Sequence, residues 1–254
     1  MSLQQIDKII GILSKESKPY EWVMAEFGKL EELKHLDLDL EMLELMGLSF
    51  NLGQGNILSL KTRTNKIKDE IFCIVDIEST GGIKNGQILE IGAVKIQNSK
   101  EIDRFNTLVK VDEIPENITE LTGISLDMVK DSPTLPKILN DFRLFLKDSI
   151  FIAHNVRFDY SFISKALNES GFGILLNRRI CTIEFAQCCI QSPKYKLDTL
   201  KEFLGIQSTH HRALSDALAA SEIFKYCLGK LPYHIKTTEE LIEFIKSSRP
   251  KKTS

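Results

Sequence analysis

The stretch FCIVDIESTGG, residues 72–82, narrows what this chain can become more than any other. From 71 to 78 the residues read Ile, Phe, Cys, Ile, Val, Asp, Ile, Glu, apolar on both faces until the end. A run of that kind suits a strand buried in a sheet covered on both sides. Strand side chains alternate, so Asp76 and Glu78 share the face of Phe72 and Ile74. Two carboxylates one pleat apart repel each other and resist burial unless positive charge sits between them. The strand therefore predicts a cationic partner at its end.

With 254 residues, 43% hydrophobic and 27% charged, the chain can bury a large core as one domain or as a domain with a smaller companion. No apolar stretch approaches the ~20 residues of a membrane span, and MSLQQIDKII lacks a signal-peptide layout. The five cysteines (Cys73, Cys181, Cys188, Cys189, Cys227) form no CxxC pair and mostly fall in apolar patterns. Reduced thiols in a cytoplasmic protein account for them better than a zinc site or a disulfide framework. A net charge of −2 argues against broad coating of nucleic acid, yet leaves room for an enzyme that grips one end locally.

Three parts follow one another. Residues 1–66 read as a mainly helical module: QQIDKIIGIL, YEWVMAEFGKL, then LDLEMLELMG, where Asp37 or Asp39 can cap and Gly47 can end the helix. Two short apolar runs around Gly53-Gln54-Gly55-Asn56 predict a β-hairpin. Three helices and a hairpin is the order of a winged helix, but no basic recognition helix stands out, so docking is the expected role. Trp22 is expected in the core of this module. Residues 67–230 hold strands near 71–78, 87–96 and 103–110, a helix at LPKILNDFRLFLKD, the strand SIFIAHN, and helices through YSFISKALNESG, TIEFAQCCI, LDTLKEFLG and RALSDALAASEIFKYCL. Strands first and strand–helix alternation afterwards predict an α/β fold, a mixed sheet with helices on both faces. Residues 231–254 form a tail with one short helix and a basic, solvated end.

Two further acids are informative. Asp159 follows the strand SIFIAHN where a helix begins, a position also suited to a helix N-cap. Asp216 lies on the helix face of Ala220, Ile223 and Cys227, which should be buried, and an acid there needs a partner. His211 precedes it by five positions, which is no same-face spacing, so the histidine belongs to the loop entering the helix. Four converging carboxylates are tolerable if two divalent cations neutralise them, and an oxygen-rich site suits Mg²⁺ or Mn²⁺. Two such ions ~3.5–4 Å apart can activate water and stabilise a leaving oxygen in phosphodiester cleavage, with a histidine taking the proton.

These segments resemble the DEDD exonucleases, in the histidine-bearing branch that includes proofreading subunits of bacterial replicative polymerases. VDIESTGG with ILEIGAVKI is similar to the first motif, HNVRFD to the second, and HHRALSDA, with its H-x4-D spacing, to the third. Ser79 stands where Thr is usual. IPENITELTGIS and YKLDTLKEFLGI also look like family segments, and the likeness spans about residues 70–228. The resemblance implies a ribonuclease-H-like sheet and 3′→5′ removal of terminal nucleotides as monophosphates. It implies Asp76, Glu78, Asp159 and Asp216 as metal ligands, His211 as general base, and His210 as a bystander. Thr80, Gly81, Leu121, Thr122, Asn155 and Phe158 would border the terminal nucleotide, and Glu90 would support the site from behind. The implied partners are a DNA 3′ end and a DNA polymerase catalytic subunit, with no membrane. An RNA or oligonucleotide exonuclease of the same branch is the alternative, and a non-catalytic interaction protein is disfavoured by the complete acidic set.

Overall fold

The computed structural model describes residues 3–207 and 211–248. It begins with α1 (Leu3–Leu13), β1 (Lys18–Pro19), α2 (Tyr20–Phe27), α3 (Leu40–Leu45), β2 (Phe50–Leu52) and β3 (Ile57–Leu60). Asp39 caps α3, its Oδ1 accepting the Met42 N–H at 2.7 Å. The expected hairpin forms, and β1 joins it to give an antiparallel sheet in the order β1-β3-β2. Ile6, Leu13, Phe27, Leu43 and Leu58 fill the core of this region, with Trp22 half-buried against it. That core does not stop at the hairpin: Ile174 and Leu176 belong to it, and the Leu176 N–H donates to the Met46 carbonyl at 2.7 Å.

The main sheet follows, with β4 (Ile71–Ser79), β5 (Ile88–Gln97) and β6 (Lys100–Leu108), then α4 (Glu116–Thr122), α5 (Leu126–Val129), α6 (Leu135–Leu146), β7 (Ile150–Ala153), α7 (Val156–Glu169) and β8 (Arg179–Cys181). The chain then runs through α8 (Thr182–Cys189), α9 (Leu197–Leu204), α10 (Ala213–Leu228) and α11 (Thr238–Ser247). Spatial order is β6-β5-β4-β7-β8, with β5 antiparallel to both neighbours and β7 and β8 parallel to β4. This is the expected mixed sheet flanked by helices. Among the described residues no helix is long and apolar enough to cross a membrane.

Alternation along β4 divides the core in two. Cys73, Val75 and Ile77 pack with α6 and α7 on one face. Phe72 and Ile74 pack with α8, α10 and α11 on the other, where Leu241, Ile242 and Ile245 join them. A strand clad on both faces explains why residues 71–75 carry no polar side chain. β4 outruns its parallel neighbour, since β7 pairs only Phe72–Ile74. Everything from Asp76 onward therefore projects past the end of β7, the usual place for a site in an α/β sheet.

Candidate active site

Asp76 and Glu78 lie on the α10 face of β4, and β5 places Gly92 opposite Asp76 and Glu90 opposite Glu78. A register shift follows at once, between Glu78 and Ser79. Bulges of this sort turn a strand end and re-aim its side chains. α10 crosses over Gly92 so closely that a Cβ there would stand 2.1 Å from the Leu214 nitrogen. Two residues further along, in the same first turn of α10, comes Asp216. Asp76, Glu78 and Asp216 thus converge, each with a carboxylate oxygen within 4.8 Å of the others'. The protein also offers Asp216 a cation of its own, the buried Lys201, whose Nζ lies 3.8 Å from Oδ1.

Asp159 is held differently. It sits inside the first turn of α7, not at its N-cap; that place belongs to Asn155, in left-handed backbone and with no side-chain capping bond. The buried Asp159 carboxylate accepts the Ile77 N–H at 3.2 Å. Because β7 ends at Ala153 and pairs no further than Ile74, that amide lacks a strand partner on this side, and Asp159 replaces it. Asp159 is outside the tight trio but close enough that its charge raises the pKa of Asp76.

Two residues that sequence reasoning left in the background fix the entrance to α10. Glu90, 1% exposed, accepts from Arg212 Nε at 3.1 Å and Nη2 at 2.8 Å, and from the Ala213 N–H at 3.0 Å. A buried carboxylate satisfied by a forked guanidinium and a helix-end amide is a rigid clasp. His211 precedes it directly, half-buried and in left-handed backbone with φ +52°. His210 lies outside the described residues. A Glu inside the apolar run ILEIGAV was the available signal, since a buried charge requires a partner.

The remaining expected residues fall on the β4–β5 loop, the start of α7 and α4. Thr80 opens the β4–β5 loop, its N–H donating to the Gln87 carbonyl and its Oγ1 accepting the Gln87 N–H, both at 2.9 Å. The Gly81 carbonyl accepts from Ser79 Oγ at 2.8 Å. Gly86 closes the loop over it, where a Cβ would come within 2.5 Å of the Gly81 oxygen. Asn155 is the N-cap residue of α7 and Phe158 precedes Asp159 on it, with the Phe158 ring edge-on to Phe162. Leu121 and Thr122 stand on α4, the helix whose Ile118 packs against Leu89 of β5. Leu121 is exposed, whereas the Thr122 hydroxyl is used locally, donating to the Ile118 carbonyl and accepting the Ile124 N–H.

A family model described as Exonuclease (RNase_T) matches residues 73–224, the segment that carries all four acids. The chain belongs to the exonuclease family. It is of the DEDD 3′–5′ type. This exonuclease is 43% identical over 176 residues to a PolC-type DNA polymerase III from Caldanaerobacter subterraneus subsp. tengcongensis, covering 67% of the chain and 12% of the relative. It is 37% identical over 160 residues to the PolC-type enzyme of Thermotoga maritima, covering 61% and 12%. The chain therefore spans about an eighth of the length of these relatives. Among solved structures, E. coli Exonuclease I bound to a dA16 oligonucleotide superposes with a TM-score of 0.57 at 16% identity, over 65% of this chain and 42% of that one. A complex named ExoI/SSB-Ct gives 0.58 at 15%, over 70% and 43%. At such identities the likeness is one of fold.

Electrostatics show what this exonuclease's site lacks. Burial first, then the charges of Asp159, Glu78 and Asp216, hold the Asp76 carboxyl well above the usual range. Burial and Asp216 push Glu78 up to about 7, and burial pushes Asp159 to about 8 against the opposing pull of backbone N–H groups. An all-oxygen donor set in mutual repulsion fits hard divalent cations, as exonucleases of this family employ. The sign of the resulting pH dependence is fixed. Acids raised in the native state stay protonated while the unfolded chain ionises, so metal-free stability drains as pH climbs from ~4 to about 8. Added Mn²⁺ should accordingly raise the melting temperature more at pH 8 than at pH 5. Calorimetry in chelator and in Mn²⁺ at both pH values checks this, and an equal or reversed increment would refute it.

Proposed function

We propose that this chain hydrolyses single-stranded DNA from its 3′ end, releasing nucleoside monophosphates, as a proofreading exonuclease of a replicative DNA polymerase. The observation that supports this most is the convergence of Asp76, Glu78 and Asp216 within 4.8 Å, with Asp159 beside them, where β4 runs past the end of β7. Asp76, Glu78, Asp159 and Asp216 are the groups that would hold two Mg²⁺ or Mn²⁺ ions. The chemistry such ions supply is Lewis acidity, which acidifies an attacking water and neutralises charge on the leaving oxygen. The chain's own contributions are orientation and proton transfer. Thr80 and Gly81, on the closed loop after β4, border the terminal sugar, and Phe158 offers its base an apolar edge. Asn155, the N-cap of α7, would border the same nucleotide.

His211 takes the proton from the attacking water. The Glu90 clasp on Arg212 sets where its backbone enters α10. His211→Ala should lower single-turnover cleavage by on the order of 10²–10⁴-fold, and added imidazole should restore part of the rate. A variant within threefold of wild type would remove the histidine from the mechanism. The polymerase association rests on the likeness to PolC-type relatives, and residues 1–66 are the proposed docking module, with 67–230 as the catalytic unit and 231–254 as its tail. Digestion of labelled single-stranded DNA, mispaired primer-template and short RNA side by side tests the substrate. Preference for the mispaired end supports proofreading, whereas faster cleavage of RNA would move the chain to the oligonucleotide branch.

A further inference from the structure

A cleft of about 940 Å³ runs between α1 and the catalytic sheet, at the upper end of the ~300–1,000 Å³ usual for ligand sites. It opens on Asn155 and Val156, in the turn of α7 that carries Asp159, and on Ile83, from the loop that carries Thr80 and Gly81. Its far wall is the N-terminal region, through Gln4 and Asp7 of α1. The lining is cationic, with Arg157, Arg178, Arg179 and Lys246 against Asp7 and Glu184. Two of those cations are already engaged. Arg178 is paired with Glu239, and Arg179 holds both Asp7 oxygens at 2.7 and 2.8 Å while lying over the Tyr160 ring. Arg157 and Lys246 are exposed and form no ion pair or hydrogen bond among the described residues, although partial burial lowers the pKa of Lys246, and the charges of Arg178, Glu239, Glu243 and Asp7 act on it. The chain as a whole carries a net charge of −2, so this concentration of cations is local.

We propose that this cleft is the track for the nucleotides upstream of the scissile bond, with Arg157 and Lys246 contacting backbone phosphates and α1 closing the far side. The proposal rests on the exonuclease reading of the neighbouring site. A single strand leaving that site carries one negative charge per nucleotide, and exposed guanidinium and ammonium groups along its exit are what such a backbone requires. The pairing of Arg179 with Asp7 gives α1 a second task beyond docking: it fixes the wall that makes the groove narrow.

The test uses the full chain and oligothymidylates of two, four, eight and sixteen nucleotides, with Arg157→Gln/Lys246→Gln as the double variant and Lys130→Gln as the control. Lys130 is the exposed C-cap residue of α5, pairs with Asp127 and does not line the cleft. Wild type should show a kcat/KM that climbs with length and then levels. The double variant should cut the ratio between sixteen and two nucleotides by about tenfold. It should also flatten the dependence of log(kcat/KM) on log(salt) by about 1.4, the share of two phosphate contacts to a single strand. The control should keep both. A double variant with wild-type length preference and salt slope overturns the track while leaving the exonuclease reading in place. A wild type inert on every length overturns that reading, and the track with it.

Discussion

Asp76→Asn should abolish hydrolysis, by on the order of 10³-fold or more, and yet melt at or above the wild-type temperature in chelator at pH 8. The two halves of this expectation share one cause. In the metal-free protein the Asp76 carboxylate gains nothing from ionising, because burial and the neighbouring Asp159, Glu78 and Asp216 all oppose it. Asparagine keeps the shape and removes that repulsion, so the fold loses no stability. For cation binding the same charge is indispensable, since Asp76 is a corner of the trio and sits next to Asp159. The Mn²⁺-dependent rise in melting temperature should therefore shrink in the variant, because a ligand raises stability only as far as it prefers the native state. Paired calorimetry and single-turnover cleavage decide the matter. Substantial activity in the variant, or full wild-type activity in excess chelator, would sink the acidic site as the source of catalysis.

Much of this was legible because it is written in local periodicity. The run 71–75 announces a strand covered on both faces, and alternation puts Asp76 and Glu78 on one of them; the register of β4 agrees. The inward face of α10 is likewise readable from Ala220, Ile223 and Cys227, all buried, which made Asp216 conspicuous. What escaped is short or tertiary. β8 is three residues long and α5 four, too brief for any period to register. The core of the N-terminal region reaches Ile174 and Leu176, more than a hundred residues downstream, and no sequence window spans that. Lys201 reads as a surface residue of an amphipathic helix, yet it is buried beside Asp216. The Glu90 clasp was half visible as a charge in an apolar strand, but its partner Arg212 becomes identifiable only once β5 and α10 cross.

That crossing carries the second large effect. Gly92 sits mid-strand opposite Asp76, and a glycine within a strand often marks a backbone passing close by. Here the passing backbone is α10: a Cβ on Gly92 would meet Leu214 N at 2.1 Å, the Ala213 carbonyl carbon at 2.3 Å and Leu214 Cα at 2.5 Å. None of these can swing aside as a side chain could, so Gly92→Ala must lift the first turn of α10 or bend β5. Overpacking of a core costs ~1–3 kcal/mol, and backbone on the far side puts this case at the upper end. The larger consequence is for the site. Lifting that turn strains the Glu90 contact with the Ala213 N–H and carries Asp216 away from Asp76 and Glu78. A displacement of ~1 Å in a catalytic group can cost 10²-fold in rate, and Gly92→Val should cost more or prevent folding. Gly11→Ala supplies the opposite sign from the same change. Gly11 lies inside α1 with nothing within 4 Å of an added Cβ, so alanine there should stabilise by roughly 0.5–1 kcal/mol and leave cleavage alone. Denaturation and cleavage rates of the two alanine variants make the comparison. If Gly92→Ala matched Gly11→Ala in both, α10 would not be seated on β5 as described, and the placement of Asp216 would have to come from elsewhere.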